Sequence, residues 1–170
     1  NAEGMLISKT DPGSRLTTYS YDPVGNLTNI NYQTDTDVSF GYDSLDRKTS
    51  MLDAIGTTTY SYDGSCPQVV SEDGPFSGDT VSYEYDDAKR LIEISCAGAT
   101  TEIDYDLLSR IGTVIGAEGT NTFTYVANGL LIAGIDRANG TVATHAYDAL
   151  MRVTNLVNQV SGGGVLSSFG

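Results

Sequence analysis

Tryptophan is missing from this 170-residue chain, histidine occurs once, cysteine twice, and Lys plus Arg number 9 against 22 Asp plus Glu. Each shortage removes a class of function. One histidine, His145, supplies no histidine pair for a metal, and no activated Ser or Cys stands beside it as a nucleophile. A net charge of −13 repels a phosphate backbone, so nucleic acid is not an expected partner. There is no run of eighteen apolar residues and hence no membrane span, and the first residues lack the basic start and apolar stretch of a signal peptide. If the protein is exported, its signal lies outside these residues. The carboxylates are scattered rather than blocked, which suits a secreted or cell-surface location better than an acidic tail.

Tyrosine and glycine, by contrast, are plentiful, at 11 and 19 residues, and they are periodic. Tyr21 begins "YDPVGNL", Tyr42 "YDSLDRK", Tyr62 "YDGSCPQ", Tyr85 "YDDAKRL", Tyr105 "YDLLSRI", Tyr125 the degenerate "YVANGLL" and Tyr147 "YDALMRV". Successive tyrosines are 20 to 23 residues apart, within the range of repeat arrays. Two residues before each stands another ring or apolar side chain: Tyr19, Phe40, Tyr60, Tyr83, Ile103, Phe123 and His145. The termini keep the phase, with Asn1 in the place of the repeat's Asp and the final "FG" in the place before a tyrosine. Residues 1–170 therefore read as one array of about eight repeats, an excerpt of a longer protein.

Rings at i and i+2 share one side of a strand, where flat side chains bury well and a Tyr hydroxyl can stay at a wet edge. The next residue, Asp22, Asp43, Asp63, Asp86, Asp106 or Asp148, is suited to an Asx-turn, and in the first copy Pro23 and Gly25 add a fixed and then a permissive φ. A second apolar strand follows, as in "LTNINY", "LIEIS" and "IGTVI", and a glycine-bearing turn leads to the next ring pair. The expected fold is all-β, a repetitive strip of antiparallel hairpins; the alternative is a parallel β-helix with one coil per repeat.

Apolar residues occupy the sixth place after Tyr (Leu6, Leu27, Leu91, Ile111, Leu131, Val153) and the ninth (Ile30, Met51, Ile94, Val114, Leu156). That odd separation breaks strict alternation. Either a bulge in the outgoing strand restores one face, or both faces are partly covered. In four repeats Arg follows Asp by four residues: Asp43 with Arg47, Asp86 with Arg90, Asp106 with Arg110 and Asp148 with Arg152. Across a hairpin turn such a pair closes a rim salt bridge, and the Arg stem lies over a neighbouring ring.

These residues resemble the YD repeat of the Rhs and teneurin-type proteins, Tyr-x-Tyr-Asp-x-x-Gly-Arg-Leu with a period near twenty, over essentially the whole chain. Gly25 fills the glycine place, and Arg47, Arg90, Arg110 and Arg152 the arginine place. The chain departs from the pattern at Asp46, Lys89, Ser109 and Met151 in the glycine place, at Val126 in the Asp place, and in the interrupted third copy. The resemblance implies a β-strip that spirals into a hollow shell, enclosing a C-terminal toxin in bacteria or forming an adhesion ectodomain in animals. The family's capping motif, self-cleavage site and toxin do not fall in these residues, so neither cleavage nor toxicity is assigned to them.

A repeat supplies one group at intervals, whereas catalysis needs different groups converging, so no enzyme activity and no cofactor are expected. His145 sits in a ring place and reads as packing. The Asp turns lack the spaced-ligand loop or the glycine-rich nonapeptide that would specify Ca²⁺, and Asx-turn chemistry accounts for them. Tyr rings beside Asp and Asn suit a sugar face, though packing of the strip accounts for the rings as well. Cys66 and Cys96 permit one disulfide by number, yet they fall in opposite turns, and a strand of about six residues would hold them about 20 Å apart. Asn26 in "NLT" and Asn139 in "NGT" satisfy the N-glycosylation rule at predicted turns. The expected function is a structural module of a large secreted or surface protein, part of a shell around a cargo chain, with the rest of its own polypeptide as partner. The alternative is an adhesin or fibre that presents the strip to glycans or to copies of itself.

Overall fold

The computed structural model describes residues 4–127 and 129–170. Asn1, assigned to the Asp place of the repeat, lies outside the described residues. Two compact units divide the chain, Asn1–Tyr83 and Glu84–Gly170. The first carries β1 (Ser8–Thr10), β2 (Leu16–Tyr21), β3 (Leu27–Tyr32), β4 (Val38–Tyr42), β5 (Lys48–Leu52), β6 (Thr57–Tyr62) and β7 (Val69–Asp73). β8 (Val81–Tyr85) spans the division. The second carries β9 (Leu91–Cys96), β10 (Ala99–Tyr105), β11 (Ile111–Gly116), β12 (Gly119–Tyr125), β13 (Ile132–Asp136), β14 (Thr141–Tyr147), β15 (Val153–Val160) and β16 (Val165–Phe169).

Within each unit every strand pairs antiparallel with its neighbours in sequence, as in β2 with β3, β4 with β5, β10 with β11 and β14 with β15. The chain is all-β. The parallel β-helix alternative is thereby overturned, because turns of only two to seven residues between the strands permit hairpins and leave no room for a crossover. The supposed interruption in the third copy is itself regular: "VVSED" is β7, pairing with β6 through Tyr62↔Val69.

The odd spacing of apolar residues is resolved by a recurrent bulge. Ser20 pairs with Asn29 and Tyr21 with Leu27, leaving Thr28 unpaired; Gly41 and Tyr42 skip Thr49 in the same way. The outgoing strands likewise skip Val70, Gly112, Ala133 and Thr154. One extra residue restores the phase, so the sixth and ninth places stand on the same face as the rings: Tyr21 faces Leu27 and Tyr19 faces Ile30, while Tyr105 faces Ile111 and Ile103 faces Val114. The opposite face carries Thr, Ser, Asn and Gly, as in Thr57, Thr59 and Ser61, and is exposed where the ring face is half-buried.

Among the described residues no second sheet and no helix covers the ring face. Among the described residues Ala143, on β14, is the one buried hydrophobic side chain, and no polar side chain is fully buried. The strip therefore has a half-buried apolar side but no enclosed core.

Candidate functional site

The repeating unit with chemistry in it is the Tyr-Asp turn, and the second turn shows its build. The Asp43 N–H donates to the Arg47 carbonyl at 2.9 Å, and the Asp46 N–H donates to the Asp43 carbonyl at 3.1 Å. Asp43 Oδ1 accepts from the N–H of Leu45 and of Arg47, and Oδ2 accepts from the Arg47 guanidinium at 2.6 to 2.7 Å. The same arrangement recurs at Asp86–Arg90, Asp106–Arg110 and Asp148–Arg152. Position four of this reversal needs a left-handed residue, which is why the repeat pattern favours glycine there. Gly25 has φ 99°, and Asp46, Lys89, Ser109 and Met151 adopt φ of 59° to 63° in its place.

These contacts fix the carboxylates in their charged form. The Arg47 side-chain hydrogen bond holds Asp43 below its ordinary value of 3.8, against some desolvation, and the Arg110 side chain does the same for Asp106. In Asp86, Asp148 and Asp11 the backbone N–H four residues on is the leading cause of the lowering, followed by the Arg side chain. Desolvation is the largest influence on Asp22 and pushes it up, but the hydrogen bonds from Asn26, Val24 and Gly25 together outweigh it. Asp11–Arg15, in the turn between β1 and β2, is a pair that reading the Tyr-Asp copies missed, although the same four-residue spacing stands in "DPGSR".

The arginines also reach forward one repeat. Arg47 Nη1 donates to the Gly64 and Cys66 carbonyls at 2.8 and 2.6 Å, and its Cζ lies 4.4 Å from the centroid of the Tyr62 ring. Arg110 Nη1 donates to the Ala127 and Gly129 carbonyls at 3.3 and 2.6 Å, with Cζ 4.3 Å from the Tyr125 centroid. Arg90 lies 4.4 Å from the Tyr105 centroid and donates to Ser109 Oγ at 3.1 Å. In the first turn Asn26 takes this role, its Nδ2 donating to both Asp22 and Asp46 at 3.0 Å. A glycan on Asn26 would replace one of the two Nδ2 hydrogens and so remove at least one of these bonds. Asn139 instead accepts through Oδ1 from the Thr141 N–H at 3.0 Å.

In six of the copies the second tyrosine reaches backward. Its hydroxyl was expected at a wet edge; it donates instead to a backbone carbonyl of the preceding repeat. Tyr21 bonds Leu6, Tyr42 Leu27, Tyr62 Lys48, Tyr105 Leu91, Tyr125 Ile111 and Tyr147 Ile132, at 2.7 to 2.9 Å. The reason is the register between repeats. The ladder of β3 with β4 reaches Asn29, that of β5 with β6 Ser50, that of β11 with β12 Thr113 and that of β13 with β14 Gly134. In each, the carbonyl two residues closer to the turn lies beyond the end of that inter-repeat ladder, and a backbone carbonyl that its ladder leaves unpaired takes another donor. The tyrosine hydroxyl fills that gap. Phe40, Ile103, Phe123 and His145 in the first place carry no hydroxyl for such a bond, so that place does not require tyrosine.

The remaining candidates do not converge on a site. His145 pairs with Leu156 on the ring face, and its Nδ1 is buried without a hydrogen-bond partner among the described residues. The one disulfide that the number of cysteines permits is not formed, and Cys66 and Cys96 are both free thiols: the Cys66 backbone N–H closes the Tyr-Asp turn by donating to the Asp63 carbonyl, and Cys96 ends β9 at a separate hairpin. Among the described residues no group of three His, Cys, Asp or Glu side chains is placed to hold a metal ion. Nor is any helix long and apolar enough to cross a membrane.

With tyrosine lock, Asp–Arg fork and bulge recurring in phase, the comparison with known proteins is direct. The family model for the RHS Repeat matches residues 1–37. Over those residues the chain is similar to the RHS Repeat, in keeping with the Tyr-Asp copies that recur along it. Solved structures share the fold of this YD-repeat segment: a TcdB2–TccC3 crystal structure at 14% identity and TM-score 0.80, and TcdB2–TccC3–TEV at 15% and 0.79, each covering 98% of this chain and 10% of the other. A Tc holotoxin pore of Photorhabdus luminescens, carrying a TccC3 mutation, matches at 16% identity and TM-score 0.57, over 94% of this chain and 9% of that one. The YD segment thus spans about a tenth of the length of the chains it matches. No curated protein matches it.

Proposed function

We propose that this YD-repeat segment is a non-enzymatic wall element of a large secreted or cell-surface protein, one stretch of a longer array that continues beyond residues 1–170 and encloses a C-terminal toxin. The observation that carries this reading is the uncovered ring face. A sheet with one apolar face normally buries it against a second layer, yet here Ala143 alone is buried among the described residues. The face is built for contact with further polypeptide. Within each unit, locks from Tyr hydroxyls and Arg guanidiniums join neighbouring repeats, so the array adds hairpins one at a time, as repeat proteins do. The fold shared with TcdB2–TccC3 supports a shell of this kind.

Limited proteolysis of the full-length parent protein tests the reading. The expected result is a chain following the repeats that stays intact at a protease concentration that degrades the same chain expressed alone. Equal rates of degradation in the two settings would sink the enclosure, and assembly of the intact protein into fibres through its edge strands would favour the adhesin reading.

A further inference from the structure

The gap between the sixth and seventh YD turns differs from those before it. In the sixth copy Val126 replaces the Asp and the turn is one residue longer, so Leu131, counted from the sequence as the sixth apolar place, stands where the arginine stands and Ile132 pairs with Tyr125 instead: the Val126 N–H donates to the Leu131 carbonyl as the Asp43 N–H donates to that of Arg47. No guanidinium therefore crosses from this turn to the next. A cavity of about 610 Å³ lies here, lined by Val126, Leu130, Leu131, Tyr147, Ala149 and Met151 among others.

We propose that this cavity is a vacant arginine socket, which takes the guanidinium of an arginine from another polypeptide segment. The occupant is argued from the other turns of the same chain. Between the second and third, and again between the fifth and sixth, the equivalent space holds a guanidinium over the Tyr ring, bonded to the carbonyls two and four residues beyond that tyrosine. The counterparts at the seventh turn are the Tyr147 ring and the carbonyls of Ala149 and Met151, which accept no hydrogen bond among the described residues. The seventh turn has the five residues of the fifth, where Arg90 stacks on the Tyr105 ring and bonds Ser109 Oγ, so the contact common to all three arginines is the ring, which Tyr147 offers; what is lacking is the arginine.

The apolar back wall suits the same guest. Val126 and Leu131 offer surface to an arginine stem, which buries its methylenes while its head finds the ring face and carbonyls. A planar guanidinium matches two carbonyl acceptors better than an ammonium does. The charge of −13 draws a cationic segment toward the strip at low salt. The inference rests on the turn geometry and holds whether the strip lines a shell or an adhesin.

The test uses the 170-residue chain with ring-labelled tyrosine, the Tyr147 signal being assigned by its loss in Tyr147→Phe. The probe is the acetylated tripeptide amide Gly-Arg-Gly, compared with peptides carrying citrulline, lysine or norleucine at the centre. Saturable shifts of the Tyr147 ring resonance are expected, with at least tenfold weaker binding of the citrulline and norleucine peptides. In the double variant Val126→Asp, Leu131→Arg, the internal arginine should fill the socket, raise the unfolding midpoint and abolish the peptide response. Equal binding of citrulline or norleucine would overturn the proposal on the unmodified chain alone. A folded double variant that still binds the arginine peptide would overturn it as well.

Discussion

Replacing Tyr62 by phenylalanine deletes one oxygen, and the neighbouring Tyr60 offers a matched control on the same strand and face. The Tyr62 hydroxyl donates to the Lys48 carbonyl at 2.7 Å, at the point where the inter-repeat ladder of β5 and β6 has already ended at Ser50. Among the described residues Tyr60 makes no side-chain hydrogen bond, and its ring lies under Lys48 Nζ at 4.4 Å, a contact that phenylalanine keeps. Tyr62→Phe leaves a half-buried carbonyl without a donor. A net hydrogen bond contributes about 0.5–1.5 kcal/mol, and water reaching the open strip limits the further desolvation loss, so destabilisation of about 1 kcal/mol is expected. For a chain of this length that is a fall in Tm of about 2–4 °C. Tyr60→Phe should stay within about 0.5 kcal/mol of the unaltered protein. Urea denaturation of both variants, followed by circular dichroism, measures the difference directly. If the two substitutions have the same effect, the hydroxyl lock is not what reserves the second ring place for tyrosine.

The left-handed place of the turn gives a second expectation: Lys89, at φ 63°, pays about 1–2 kcal/mol for that conformation, and glycine's extra chain entropy offsets about 0.5–1 kcal/mol, so Lys89→Gly should stabilise by roughly 0.5–1 kcal/mol. A lower urea midpoint for that variant would contradict the turn assignment. Arg110→Lys should lower the midpoint more than Arg152→Lys does, because lysine cannot fork to Asp106 while bonding the Ala127 and Gly129 carbonyls, and the Arg152 side chain, 73% exposed, has no such forward bonds. Acid should loosen the strip: the folded-state values of Asp43, Asp86, Asp106 and Asp148 lie below 3.8, so their contribution is complete above that value and is lost as pH falls through the lowered values. Urea midpoints measured between pH 5 and pH 2 should drop steeply below about 3.8, and Asp43→Asn with Asp106→Asn should flatten the drop. Gly56→Ala should destabilise, since φ there is 149° and an added Cβ would come within 2.5 Å of Pro75.

Local patterning carried a great deal of this protein. A period of 20 to 23 residues, ring pairs two apart and an Asp at each reversal define hairpins, because strand faces repeat every two residues and an Asp carboxylate can bond amides two and four positions on. The segments "LTNINY" and "IGTVI" coincide with β3 and with most of β11. Even the tyrosine lock left a trace in the sequence: all seven copies keep the second tyrosine while the first place varies, a contrast that packing alone does not require.

What the chain's order could not reveal is where groups end after the repeats stack. The extra residue at Thr28 or Gly112 is visible only once the partner strand is in register, and without it the sixth and ninth apolar places point to opposite faces. The Tyr62 hydroxyl and Arg47 Nη1 find partners 14 to 19 positions away. Those distances are set by inter-repeat register, and the carbonyls involved are free only because the ladder ends two residues short of them. The sequence by itself determined hairpin, turn and period, because these depend on neighbours within a few residues; the locks, the single apolar face and the socket over Tyr147 were decided by the tertiary structure, because each requires two repeats to be placed side by side.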